Sequence, residues 1–386
     1  MTNKSETAEL LARLEEKVDR MIAQFGDKCP HFAGKDGIYD DMGTDWWTSG
    51  FWGGLLWVMH GATGHDRYRE AAWHWDETIE SWFVKPTDQL NHDVGFQFLP
   101  TAVIKHTATG DEDGRRRGLE AADFLAGRFN PAADFLRAWN GDKYGWAIID
   151  CMMNIPLLFW ATEMTGDPRY KHIALRHADT ALRYSVREDG SVNHIISFDP
   201  ESGAYLGSLG GQGSAPDSAW SRGTAWGLYG FAAAYRWTGD VKYLNAAKRI
   251  AHFFVASLPD DLVPYWDFRL DDLDGEPRDT SASAIAASGL LDIADCVPSA
   301  ERRTYLEPAR RILASLTDRY GTWDRPGHEG ILIAATGHKP GNGCIDGSLI
   351  YGDYFYVEAV AKLNGWKQRV FTPHPQVCAE KPAVSV

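Results

Sequence analysis

An all-α ring of six helical hairpins is the architecture this sequence predicts, and three observations predict it. First, the word Thr-Gly-Asp or a near copy recurs at Thr63-Gly64-His65-Asp66, Thr109-Gly110-Asp111, Thr165-Gly166-Asp167 and Thr238-Gly239-Asp240. Each copy closes an apolar stretch and opens an amphipathic one, with Gly as a left-handed helix stop and Asp as the next N-cap. Second, three copies continue alike, as Asp66-Arg67-Tyr68, Asp167-Pro168-Arg169-Tyr170 and Asp240-Val241-Lys242-Tyr243, the mark of a repeated helical hairpin. Third, no segment of any length alternates apolar and polar residues with the strand period.

Taken in order, Leu10, Leu11, Leu14, Val18, Met21 and Ile22 fall on one face of a helix over residues 6–25. After Asp45, the run Trp46-Trp47-Thr48-Ser49-Gly50-Phe51-Trp52 opens an apolar helix that ends near Gly61, and residues 66–83 form its amphipathic partner. A second apolar helix begins at Asn91-His92-Asp93 and stops at Thr109, followed by a charged one over residues 115–129. Residues 143–166 read as one buried helix, with Asp150 near its front and Asn154 one turn later on the same face. Residues 220–237, 281–297 and 347–363 are apolar, and residues 241–258 and 300–320 are amphipathic. With the N-terminal helix as outer partner of the last apolar one, the count is six inner and six outer helices. That is the (α/α)6 barrel, expected as a single domain over residues 1–386, with residues 1–40 packed on its outside.

Composition excludes several classes. The formal net charge is −14 with no basic run, which argues against nucleic acid. The most apolar run, residues 51–59, is too short to cross a bilayer, and the polar N-terminus lacks the apolar core of a signal peptide. Five scattered cysteines (Cys29, Cys151, Cys296, Cys344 and Cys378) show no C-x-x-C spacing, so reduced thiols and a cytoplasmic location are expected. The thirteen histidines form no H-E-x-x-H word, so no metal is expected. The run from Gly207 to Gly213 lacks the Gly-Lys-Ser/Thr ending of a phosphate loop and reads as a loop over the barrel mouth. Sixteen tryptophans serve either as core filler or as stacking platforms for sugar rings.

Polar residues collect at the fronts of the inner helices: Asp45, Asp93 with Gln97, Asp150 with Asn154, Ser218 with Arg222 and Trp226, Asp279, and Asp346 with Ser348. In such a barrel those fronts share one mouth, fed by the long loops, and convergent helix N-termini favour an anionic ligand such as a uronate. Asp45, Asp279 and Asp346 are also ordinary N-cap residues. Asp93 and Asp150 differ, because bulky apolar neighbours flank both, among them Phe96 and Ile149. Two such acids in an aromatic mouth suit general acid/base work on a sugar, with burial and like charge raising one pKa. Arg222 offers a fork that matches a carboxylate, or an ordinary ion pair.

The words Trp46-Trp47-Thr-Ser-Gly-Phe-Trp-Gly-Gly, His92-Asp93-Val-Gly-Phe, Ile149-Asp150-Cys-Met-Met-Asn-Ile-Pro and Trp220-Ser-Arg-Gly-Thr-Ala-Trp226-Gly resemble those of unsaturated glucuronyl hydrolases, glycoside hydrolase family 88. The resemblance runs from Asp45 to Phe355 and implies an (α/α)6 barrel acting on lyase-generated oligosaccharides with a 4,5-unsaturated uronic acid at the non-reducing end. It implies hydration of the vinyl ether double bond without a cofactor. Asp150 is then the general acid/base, and Asp93 the second essential carboxylate. His194, Gln212, Arg222 and Trp226 hold the unsaturated ring, Trp47 stacks on it, and His92 is a further substrate-binding residue. Sulfate preference in such enzymes involves the C-terminal third, where Gly337 to Cys344 form a comparable loop. A monomer or weak homodimer is expected. Three alternatives stand beside this reading: an unsaturated rhamnogalacturonyl hydrolase, a sugar epimerase or isomerase, and a non-catalytic oligosaccharide-binding protein.

Overall fold

The computed structural model describes residues 4–373; Cys378 lies outside them. Helix α1 (Lys4–Phe25) comes first. Inner α2 (Ser49–Thr63) is followed by outer α3 (Asp66–Ala72) and α4 (Trp75–Glu80). Inner α5 (Val94–Phe98) and α6 (Ile104–Thr109) are joined by a wide π turn, Leu99–Val103, with α7 (Glu112–Ala126) outside. Pro100 explains the break, since it lacks the N–H that an α-turn needs. Inner α8 (Pro156–Thr165) pairs with α9 (Pro168–Tyr184), α10 (Ser221–Thr238) with α11 (Val241–Ala256), and α12 (Thr280–Cys296) with α13 (Ser299–Ser315). The last inner helix, α14 (Ile350–Leu363), packs on α12, on α2 and on α1, so the ring closes and α1 takes the outer place beside α14.

The repeated turns form as their residues dictate. Gly64, Gly110, Gly166 and Gly239 end α2, α6, α8 and α10 with φ of 74–76°, a region closed to most side chains. In each turn the Thr hydroxyl donates to the carbonyl four residues back and accepts the amide N–H two residues on. Asp111, Asp167 and Asp240 then cap the outer helix, whereas His65, in the first copy, makes no cap bond. Inner helices are apolar nearly all round because they are covered on both sides; every residue of α12 from Thr280 to Ala294 is buried. Outer helices bury one stripe, as Tyr243, Ala247, Ile250 and Phe254 do in α11.

Two expectations need correction. Residues 143–166 are not one helix: Trp146–Ile148 is a strand, Ile149–Met153 a tight 3-10 turn, and only Pro156–Thr165 is α-helical. Proline at the first helical position sets that start, so Asp150 precedes the helix rather than lying on its first turn. Strands also exist. The short pairs β1 (Phe32–Ala33) with β7 (Ser348–Leu349), and β2 (Phe129–Asn130) with β3 (Phe135–Leu136), tie loops together. A three-stranded antiparallel sheet joins β4 (Trp146–Ile148), β5 (Ile195–Phe198) and β6 (Tyr205–Leu209). These strands are two to five residues long, too short to stand out as a period in the sequence. The sheet matters for function: it sets Ile148 against Ile195, and the Ile149 amide donates to the His194 carbonyl at 3.1 Å, which brings His194 beside Asp150.

The opposite end of the ring is plugged. Phe371 is fully buried, stacks on Phe355 with ring centroids 5.7 Å apart, and takes a hydrogen bond from the Trp237 indole at its carbonyl, 3.0 Å.

Candidate active site

A cavity of about 770 Å³ opens at the end of the ring where the inner helices begin. Asp93 and Asp150 both line it, together with Trp47, Gln212 and Arg222. Each carboxylate residue is only 8% exposed, so its charge is poorly hydrated yet within reach of a bound molecule. Asp93 occupies the N-cap position of α5 without making a cap bond, and Asp150 lies inside the 3-10 turn rather than at its cap, which is Ile148; neither is a plain cap. By contrast Asp279 does cap α12, accepting from the Ser281 amide at 3.1 Å. Asp45 instead accepts from the Thr87 hydroxyl at 2.7 Å.

Asn154 ties the two acids together. Its amide nitrogen donates to Asp93 Oδ1 and to the Asp150 carbonyl, 3.3 Å each, and its oxygen accepts the Phe96 amide at 2.7 Å. This contact needs Gly95: a Cβ there would meet the Asn154 Cα at 2.5 Å. The small residue in His92-Asp93-Val-Gly-Phe therefore permits the close approach of two inner-helix fronts.

The electrostatics follow from burial. Burial pushes Asp93 up to about 7, against hydrogen bonding from Asn154 and the charge of Arg128. Burial also pushes Asp150 up to about 7, with the Asp93 charge adding to the rise and Arg222 opposing it. Both carboxyls therefore exchange protons near neutrality, where general acid/base groups work best.

Three residues expected to contact the sugar are buried around the cavity. His92 is fully buried behind Asp93, with Nε2 3.2 Å from Asp93 Oδ1. His194 is buried behind Asp150, with Nε2 3.6 Å from Asp150 Oδ2, and its Nδ1 accepts the Gln212 amide at 2.9 Å. Trp226 is wholly buried between Phe96 and Phe355, with centroids 5.0 and 5.3 Å away, beneath the cavity floor. None of the three lines the cavity. The two histidines lie behind the carboxylates, and the tryptophan packs in the aromatic core. Arg222 does reach the wall, but its fork is already engaged. Nη1 donates to Asp279 at 2.6 Å and to the Thr336 carbonyl at 2.5 Å, and Nη2 to Gln212 Oε1 at 2.8 Å and to the Gly337 carbonyl. Through one of these bonds it holds Gln212 at the cavity wall.

Other wall residues escaped the sequence reading. Trp139 and Lys143 come from the loop ahead of β4, with the Lys143 ammonium 5.0 Å from the Trp139 ring centre. Tyr351 lies beside Trp47, centroids 4.9 Å apart, and 5.4 Å from the Arg222 guanidinium. The signal available was Trp139-Asn-Gly-Asp-Lys143, an aromatic and a cation flanking an Asn-Gly turn. The Gly207–Gly213 run ends β6 and turns at Gly210–Gly213 to present Gln212 to the cavity. Gly337, His338, Gly343 and Cys344 also line the mouth. Among the described residues, no three His, Cys, Asp or Glu side chains converge as metal ligands would, and no helix is long and apolar enough to cross a membrane.

A ring of helical hairpins with two proton-exchanging carboxyls in an aromatic mouth defines a sugar-processing enzyme of the acid/base kind. Residues 14–371 match the family described as Glycosyl Hydrolase Family 88. The chain is 39% identical over 355 residues to the unsaturated glucuronyl hydrolase of Bacillus sp. (strain GL1), covering 89% of this chain and 93% of that one. It is 33% identical over 345 residues to the unsaturated chondroitin disaccharide hydrolase of Streptococcus pyogenes serotype M1, covering 88% and 86%. The solved structure of the unsaturated glucuronyl hydrolase responsible for the degradation of glycosaminoglycan, from Bacillus sp. GL1, superposes with a TM-score of 0.88 at 36% identity, covering 94% of this chain and 97% of that one. The chain belongs to glycosyl hydrolase family 88. It is a glycoside hydrolase, which sets aside the epimerase and binding-only readings.

Proposed function

We propose that this enzyme removes a 4,5-unsaturated uronic acid from the non-reducing end of lyase-generated glycosaminoglycan oligosaccharides, and that Asp150 and Asp93 carry the chemistry. The observation behind this reading is the pair of buried carboxyls, both pushed up to about 7, in one aromatic-walled cavity. A vinyl ether is hydrolysed by protonating its terminal carbon, which demands an acid still protonated near neutrality. Asp150 gives its proton to C4 while water adds at C5. Asp150 then takes the proton that the water sheds, so it ends the step as it began. The hemiketal opens to a ketone at C5 and leaves a hemiacetal at C1, whose collapse to the aldehyde breaks the C1–O bond and releases the protonated saccharide, with a keto-uronate left behind. Asp93, tied to Asp150 through Asn154, orients a sugar hydroxyl.

Trp47 and Trp139 supply the stacking walls, and Lys143, half-buried at the mouth beside Trp139, supplies a cation for an anionic sugar. Buried free thiols at Cys29 and Cys151 support a cytoplasmic place of work, on oligosaccharides already small enough to be imported. The test is loss of the ultraviolet absorbance of the conjugated uronate, on unsaturated disaccharides from chondroitin, hyaluronan, heparin, gellan and rhamnogalacturonan assayed side by side. Turnover of the glycosaminoglycan members supports the reading. Turnover of rhamnogalacturonan alone moves the enzyme to the related rhamnogalacturonyl class, and consumption of none overturns the substrate.

A further inference from the structure

We infer that Lys143 binds a sulfate group on the second sugar, the one that leaves, and so sets the enzyme's preference among glycosaminoglycan disaccharides. This assignment rests on the proposed function and adds to it the residue that selects the substrate. His31, Lys143, Arg222 and His338 are the basic residues that line the cavity, and three of them are committed. The Arg222 fork donates to Asp279, Gln212 and two carbonyls. His31 faces Asp40, with Nδ1 3.4 Å from Oδ2. His338 Nδ1 accepts the Gly341 amide at 3.0 Å, and burial, then the Arg222 charge, lowers that ring below its ordinary value, so it stays neutral. The Lys143 ammonium differs: it meets no carboxylate or carbonyl among the described residues. Rings hold it instead. It lies 5.0 Å from the Trp139 centroid and 5.4 Å from that of Trp146, and the two indoles pack edge to face at 6.1 Å. Such rings fix a cation in place without neutralising it. A cation held in position with no counter-charge, on the wall of a cavity, is a place for an anion.

Depth decides which sugar it meets. The Trp139 ring lies 6.0 Å from the His194 ring, edge-on, and His194 sits behind Asp150. Lys143 is therefore one indole farther out than the catalytic end, half-buried between exposed Asp142 and exposed Tyr144. The uronate must bring its double bond to Asp150 and fills the inner end. The sugar bonded to it lies toward the rim, within reach of Lys143. In a glycosaminoglycan disaccharide that sugar is a hexosamine, and its anionic substituent is a sulfate. Asp88 and Asp142 also stand at the rim, and Asp88 accepts the Gln89 amide at 2.6 Å. Their charges disfavour a sulfate elsewhere along that edge and leave the Trp139 face as its place. The family resemblance directs sulfate preference to Gly337–Cys344 instead. The lysine of that loop, Lys339, is paired with Glu276 at 3.1 Å and does not line the cavity, so in this chain the loop ahead of β4 takes over the task.

Unsulfated, 4-sulfated and 6-sulfated unsaturated chondroitin disaccharides share both sugars and differ only in this group. In the ultraviolet assay wild type is expected to show a higher kcat/KM on at least one sulfated member than on the unsulfated one. Added salt should shrink the difference, because Lys143 is half-exposed. Lys143→Gln keeps the stem against the rings and removes the charge. It should lower the ratio of sulfated to unsulfated kcat/KM roughly fivefold, mainly through KM. Lys143→Arg should keep the ratio, and so should Lys339→Gln. A ratio unchanged in Lys143→Gln overturns the inference, and an equal loss on every member does so too, because Lys143 then serves the uronate. A wild type that works best on the unsulfated member, or a preference that vanishes in Lys339→Gln, overturns it as well. Consumption of no member by wild type overturns the proposed function itself, and this assignment with it.

Discussion

The two ends of the ring bury carboxylates in opposite ways. At the base, Asp292 and Glu358 are fully buried beside Lys362, whose ammonium is 2.7 Å from Asp292 and 3.3 Å from Glu358, and Arg236 and Arg369 each lie 3.6 Å from Asp292. Burial by itself raises the Asp292 carboxyl, but Lys362, Arg236 and Arg369 outweigh it and hold it below the usual range. At the mouth, Asp93 and Asp150 are met by neutral histidines, and both stand near 7. The same residue type in the same barrel becomes a fixed charge where cations compensate its desolvation and a proton-exchanging group where they do not. The base is structure; the mouth is chemistry that costs stability.

The largest expected effect separates the two ends by activity. Asp150→Asn should lower turnover by about 10²–10⁴-fold, the usual worth of a general acid/base, without loss of cooperative unfolding; wild-type rates in the ultraviolet assay would sink the assignment. Next, Asp292→Ala leaves Lys362, Arg236 and Arg369 facing an empty place, and should cost about 3–5 kcal/mol in urea unfolding, while the folded fraction keeps its KM. The third effect is a pH dependence of opposite sign at the two ends. Asp93 and Asp150 have folded pKa values raised above the unfolded one, so their contribution is full at low pH and is lost as pH rises toward about 7. Asp150→Asn should therefore gain on wild type through that window, by on the order of 4 kcal/mol, read as a Tm difference that widens from acid to neutral pH. Asp292, held low, contributes above the ordinary aspartate range and loses that contribution as pH falls, so its variants should approach wild type in acid. The smallest effect is at the wall: Trp47→Ala should raise KM roughly fivefold through about 1 kcal/mol of lost ring contact, with little change in kcat.

The hairpin repeat was legible because it is local. Each Thr-Gly-Asp turn is specified by adjacent residues, and the apolar and amphipathic stretches between them carry their own period. Asp93 and Asp150 were legible because an acid among bulky apolar neighbours conflicts with its surroundings. The small sheet was not, since strands of a few residues lack a period, and it is that sheet which sets His194 beside Asp150. The saturation of Arg222 was not legible either, because its partners Asp279 and Thr336 lie 57 and 114 residues away.

The sequence by itself determined the ring, the direction of its mouth and the two acids placed there, since those follow from residues within a few turns of one another. Only the tertiary structure decided which polar groups compensate which. Trp226 became core, the Arg222 fork was occupied from three loops, and the histidines moved behind the carboxylates. The reason is that a charge in a protein takes its character from whatever the fold brings within a few ångströms, and those neighbours come from chain segments that share no local pattern.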